Sequence, residues 1–184
     1  MFETEFELET LDELLAASFL GAGEHLTSII APSRRLSSTE LCRYLTGVKH
    51  LVVATVTATG EPRCSAVDGL FLHGTFWFST AATSLKVRHL ECRRALSGAH
   101  VVGDDVGVFV HGMARVVNGA TEESASISHY WSDVYGGGTP EDWVSAPSDA
   151  RYVQILASAM FTYVFSRDRF EALLAGAVPD DAEG

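Results

Sequence analysis

Between Pro62 and Arg88 the chain reads P-R-C-S-A-V-D-G-L-F-L-H-G-T-F-W-F-S-T-A-A-T-S-L-K-V-R, and this stretch holds the residues best equipped for chemistry. Two extended runs, Arg63 to Leu72 and Thr75 to Thr80, flank His73-Gly74, and glycine readily takes the positive φ that tight hairpin turns require. The stretch therefore reads as an antiparallel hairpin, then a loop with Ser79, Thr80, Thr83 and Ser84, then a helix carrying Lys86 and Arg88. Counting outward from a turn centred on His73-Gly74 sets Val67 opposite Thr80 and Arg63 beside Ser84, with Ser65 on the same face. Ser84 is also the natural N-cap of the next helix. A guanidinium, several hydroxyls, an ammonium and the N–H groups of a helix start would thus converge on one spot, an anion site that fits a phosphate. The hydroxyls alone would equally cap a helix and satisfy a loop. The placement of Arg63 and Lys86 around them is what points to an anion.

The elements that must position these residues belong to a chain of 184 residues with 47% hydrophobic and 20% charged composition, ordinary values for one soluble domain. The expectation is a single domain over 1–184, with a barrel core at about 47–166, a helical segment before it and a helix and tail after it. A net charge of −11 argues against a nucleic-acid partner. No apolar run reaches the ~18 residues of a membrane span, and the acidic start M-F-E-T-E-F-E-L-E-T is unlike a signal peptide. The expected location is the cytoplasm, without a membrane partner. Cys42, Cys64 and Cys92 stand far apart, as reduced thiols do. The histidines show no metal-ligand spacing, so no metal site is expected.

Thr10 and Glu13 have capping-box spacing and open a helix signal carrying Leu11, Leu14, Leu15 and Phe19. Gly21-Ala-Gly23 reads as a helix stop. Ser37 and Glu40 repeat the box before Leu41, Tyr44 and Leu45. Strand patterns follow at His50–Ala58, from Pro62, at Thr75–Thr80, at Ala95–Val102 and at Val106–Val117, the last interrupted by Gly112. Five strands in meander order, with one helix after the third, predict an antiparallel sheet that curls into a barrel. A helix over Thr121–Tyr135 leads to Gly136–Gly138 and a turn of helix from Thr139-Pro140. Ala150 to Ser166 reads as one or two strands with a kink at Ala157–Ala159. A final helix from Arg167 ends at Gly176, before a frayed acidic tail.

Other candidates carry less. His111, inside V-F-V-H-G, could ligate a haem or donate a proton, but a strand histidine is more often packed or half-exposed, and it is left outside the site. Asp68 alternates away from Arg63 and Val67 and should face the other side. Tyr130, Trp131, Tyr135 and Trp143 read as core or interface rather than a ring-binding cover.

Residues 47–117 resemble the pyridoxamine 5′-phosphate oxidase-like flavoproteins. The likeness rests on L-V-V-A-T-V-T-A-T-G-E-P-R-C-S-A-V, on F-W-F-S-T, on S-L-K-V-R-H-L and on V-F-V-H-G-M-A-R-V-V. It implies a mainly β, α+β fold, an antiparallel FMN-binding split β-barrel with peripheral helices, forming a homodimer with the cofactor in the groove between subunits. In that family the corresponding residues hold the phosphate of FMN, which implies that role for Arg63, Ser84 and Lys86. The strand Arg63, Cys64, Ser65, Ala66 and Val67, together with Ser79 and Thr80, would line the flavin. The implied activity is flavin-dependent oxidation or reduction of a small-molecule substrate, with no side chain required as a catalyst. Related subgroups bind a deazaflavin or haem, or store a ligand without turnover. The C-terminal R-D-R-F-E-A-L-L lacks the basic and aromatic signature with which true pyridoxamine phosphate oxidases grip their substrate, so that vitamin is not implied here.

Overall fold

The computed structural model of the chain describes residues 2–176; Met1, the expected acidic tail (177–184) and the Trp143 side chain lie outside the described residues. Six antiparallel strands form a closed barrel: β1 (Lys49–Val56), β2 (Pro62–Leu72), β3 (Thr75–Ala81), β4 (Ala95–Val102), β5 (Val106–Asn118) and β6 (Ala150–Val164). Their order around the barrel is β1-β2-β3-β6-β5-β4, with β4 pairing back to β1. The meander expectation is therefore corrected at one place. The fifteen-residue β6 inserts between β3 and β5 and pairs with β5 over nearly its whole length. Its alternating burial supplies Val153, Ile155, Met160 and Val164 to the barrel interior, where they meet Leu51, Val53, Phe76, Phe78, Val108 and Val110. This interior is the main core, and its burial of aliphatic and aromatic area is the principal stabilising term.

The helices cover the barrel. α1 (Glu5–Leu20) begins one box earlier than its Thr10 signal: Thr4 caps Glu7 N–H and Glu7 returns to Thr4. Starting there lets Leu11, Leu15 and Phe19 all bury, while the Thr10 hydroxyl donates to Phe6 O within the helix. α2 (Glu24–Ile29) is a short helix after the Gly21 stop, and α3 (Ser38–Tyr44) has the expected Ser37–Glu40 box. α4 (Leu85–Cys92) follows β3, α5 (Glu122–Tyr135) follows β5, and α6 (Arg167–Leu174) closes the described chain. α5 lays Ile127 and the fully buried Trp131 over Leu70, Trp77 and Tyr152, making a second core outside the barrel wall. The aromatic set therefore divides: Trp131 is core, whereas the Tyr135 hydroxyl reaches Asp68 at 2.7 Å and Tyr130 edges against His73.

The expected kink in β6 is a bulge. His111 pairs with Ala159 and Gly112 with Ala157, leaving Ser158 as the extra residue. Gly112 is needed there, because a Cβ would stand 2.1 Å from Leu156 O. Gly112→Ala should cost about 1–3 kcal/mol in urea unfolding, whereas Gly23→Ala, with open space around it, should stay within about 0.5 kcal/mol.

His100 is buried on β4. It lies 3.1 Å from the Tyr44 hydroxyl and 2.9 Å from His50 O, so Nδ1–H donates to the carbonyl and Nε2 accepts from the tyrosine. Burial pushes its pKa below the ordinary value of 6.5. The unfolded chain then takes up the proton first, and stability should fall as pH drops below that value. His100→Gln should flatten this part of a stability-against-pH curve.

Candidate functional site

The hairpin register is as read for four pairs, Leu72–Thr75 through Gly69–Phe78, with His73 and Gly74 both at positive φ. It does not continue. From Asp68 back to Pro62, β2 pairs with β1 alone, and from Ser79 to Ala81, β3 pairs with β6 alone. The extrapolated neighbours Val67–Thr80 and Arg63–Ser84 are therefore not ladder partners. The physical reason is β6: it captures the end of β3, and the Ala82 N–H donates to Asp149 O at 2.7 Å, carrying the loop with it.

The two strands thus splay, leaving one unpaired backbone edge on β2 and one on β3. Arg63, Ser65 and Val67 stand opposite Thr55, Val53 and Leu51, whose side chains are buried; Cys64 and Ala66 alternate to the exposed outer face. Asp68 is likewise exposed, as read. Ser79 and Thr80 are half-buried on β3, and their hydroxyls have no hydrogen-bond partner among the described residues.

A different contact ties α4 to β1. Thr55 is the β1 partner of Arg63, and its Oγ1 lies 2.9 Å from Nδ1 of His89, in the second turn of α4. Arg93, just after the helix, donates to the Thr57 and Ala58 carbonyls at 2.7 and 2.8 Å. Ser84 caps α4 by accepting from Val87 N–H at 3.4 Å, so the first helical N–H groups, of Leu85 and Lys86, are free of intrahelical bonds. Lys86 is half-buried and has no ion-pair or hydrogen-bond partner among the described residues. Arg63 is engaged: its guanidinium bonds Glu61 at 2.9 Å and Pro62 O at 3.1 Å. Both members of that ion pair are exposed, so the link is weak. The start of α4 thus carries an unpaired ammonium and free helix N–H groups, while β2 and β3 carry unpaired strand edges.

Sequence reasoning passed over Thr55 and His89. Both lie inside stretches that carry the family resemblance, but no spacing links them, and only the β1–α4 packing shows that they connect the strand to the helix.

Such a barrel, closed around its core but with β2 and β3 parted at one end, is the split-barrel class. A profile of the pyridoxamine 5′-phosphate oxidase family matches residues 39–159, about two-thirds of the chain, and the chain belongs to that family. No curated protein matches it. Among solved structures, a conserved hypothetical protein from Mycobacterium tuberculosis is 18% identical with a TM-score of 0.65, covering 84% of this chain and 97% of that one. The haem storage protein HutZ from Vibrio cholerae is 17% identical with a TM-score of 0.57, covering 68% and 92%. An FAD-binding protein from Mesorhizobium loti is 16% identical with a TM-score of 0.57, covering 72% and 98%. At these identities the likeness is one of fold.

Thr55→Val keeps the buried shape and removes the contact to His89. It should cost about 1 kcal/mol in equilibrium unfolding and speed amide exchange within residues 85–92 ahead of the barrel strands.

Proposed function

We propose that the chain is an FMN-dependent oxidoreductase, with the phosphate held at the start of α4 and the flavin lying along the parted edges of β2 and β3. Lys86 is the observation that carries this reading. A half-buried ammonium without a counter-ion is unfavourable, and a phosphate beside free helix N–H groups would supply one. Ser84 and the backbone of Leu85 and Lys86 would bind the phosphate with it, and Arg63 would join by leaving Glu61. The edge of β2 from Arg63 to Val67 would hydrogen-bond the ring, with Ser79 and Thr80 across the gap. Bound there, the flavin would supply hydride transfer, while the chain binds, orients and dries the site. The substrate is a small molecule.

The active form in this reading is a homodimer. Val52, Val101 and Leu156 leave large apolar side chains between 42% and 49% exposed on the outer wall, a face suited to a second copy. A second reading, a ligand-storing or deazaflavin-using relative, draws on the fold shared with the haem storage protein of Vibrio cholerae. Extraction of the purified protein, with mass and absorption spectra of what is released, separates the readings. Finding no flavin, and no uptake of added FMN, would sink the first.

Lys86→Ala and Arg63→Ala should each weaken FMN about 10- to 100-fold, as loss of a charged hydrogen bond does, and riboflavin far less, by fluorescence titration. Equal losses for both ligands would refute the phosphate assignment.

A further inference from the structure

A groove of about 420 Å³ runs across the outer ends of β1, β4 and β5 to Pro62 of β2, and it ends on His111. Pro62, Val56, Ala54 and Met113 form its apolar walls, and no carboxylate, lysine or arginine lines it. Its hydroxyls are already committed. Thr55 Oγ1 is bonded to His89, Ser158 donates to His111 O at 3.2 Å, and Ser97 Oγ lies 2.8 Å from His111 Nδ1. The His111 ring is fixed on a second side by the edge of Phe161, at 6.2 Å between centroids. The Ser97 hydroxyl can donate to Nδ1 of the Nε2–H tautomer, and in that tautomer Nε2–H is a side-chain donor with no partner among the described residues. His111 lies beside the β5–β6 bulge, on the outward phase of β5 that it shares with Phe109 and Met113.

We propose that this groove binds a neutral, planar aromatic molecule bearing a carbonyl oxygen, with His111 Nε2–H donating to that oxygen. An apolar trough with a single donor suits one acceptor on a flat apolar body. An anionic ligand would find no permanent cation there, and the acidic chain as a whole opposes one. Met113 adds a polarisable thioether to meet the ring. Pro62 of β2 lines the groove next to Arg63 in sequence, and Thr55 is the β1 partner of Arg63, so the groove shares strand β2 with the gap assigned above to the flavin. In that respect the inference deepens the flavin reading and names a substrate class for it.

The test uses the full chain as purified, its flavin content measured separately. 2-Acetonaphthone and 2-ethylnaphthalene, alike in shape but differing in the carbonyl, are titrated by calorimetry and placed by intermolecular NOEs. Acetonaphthone should bind saturably with NOEs to the Met113 methyl. His111→Phe, which keeps a ring but no donor, should weaken it about three- to tenfold and leave ethylnaphthalene unchanged, and His111→Gln should restore part of the loss. Absence of saturable binding, NOEs to another face, or equal losses for both probes would overturn the proposal. Binding with these signatures in a chain that takes up no FMN would uphold the groove and refute the flavin reading alone.

Discussion

The pairing of β2 is the constraint on which the rest of the site depends. Backbone N–H and C=O groups must find partners, and in a closed barrel each strand normally finds them on both sides. Here β2 is bonded to β3 only from Gly69 to Leu72, because β6 holds the end of β3 from Trp77 to Ala81. The seven residues from Pro62 to Asp68 consequently present one edge without a strand beside it. That edge is open to water, a ligand or a partner chain. The same parting of strands lets α4 approach β1, so the cost of an open edge and the entry of a charged helix start have one cause. Thr55 and His89 fix the spacing between them.

Electrostatics sharpens the position of that gap. The chain carries 24 acidic against 13 basic residues, so an anion meets repulsion over most of the surface. Most of the arginines serve structure: Arg167 bonds Glu40, Arg169 forks onto the buried Asp105, and Arg115 pairs with Glu123. Lys86 and Arg88 are exceptions, set two residues apart at the head of one helix with no such partners among the described residues. For the phosphate proposed above, affinity would come from short-range contacts rather than from long-range steering.

The local elements were legible in the sequence because local chemistry sets them. The Ser37–Glu40 box, the His73-Gly74 turn, the bounds of β4 and the break near Ala157–Ala159 all follow from residues within a few positions of one another. What stayed hidden is non-local. The insertion of β6 between β3 and β5 joins segments some seventy residues apart, and no alternation pattern records which edge a strand will take. For the same reason the hairpin count from Leu72–Thr75 was sound for four pairs and failed beyond them. Arg63 and Lys86 were legible as charge among hydroxyls, and the resemblance supplied a reason to join them. Thr55, the residue that physically joins their elements, looks from its sequence like any β-branched strand residue. At the start of the chain two boxes of the same spacing compete, and packing of α1 against β6 decides for Thr4 over Thr10.

His111 shows how an ordinary sequence signal acquires meaning from a backbone irregularity. A regular ladder would pair every residue of β6 from Leu156 to Ala159 with β5. In its place the bulge leaves Ser158 over, and Leu156 O presses on Gly112 where only glycine fits. Lost pairing and a glycine in mid-strand are both destabilising, so the arrangement must be held by what surrounds it. What surrounds it is a set of hydroxyls, Ser158 on the His111 carbonyl and Ser97 on the His111 ring, that orient one imidazole toward an apolar trough. The bulge in β6 and the exposed imidazole on β5 are neighbours, and the trough beside them reaches Pro62 at the start of β2.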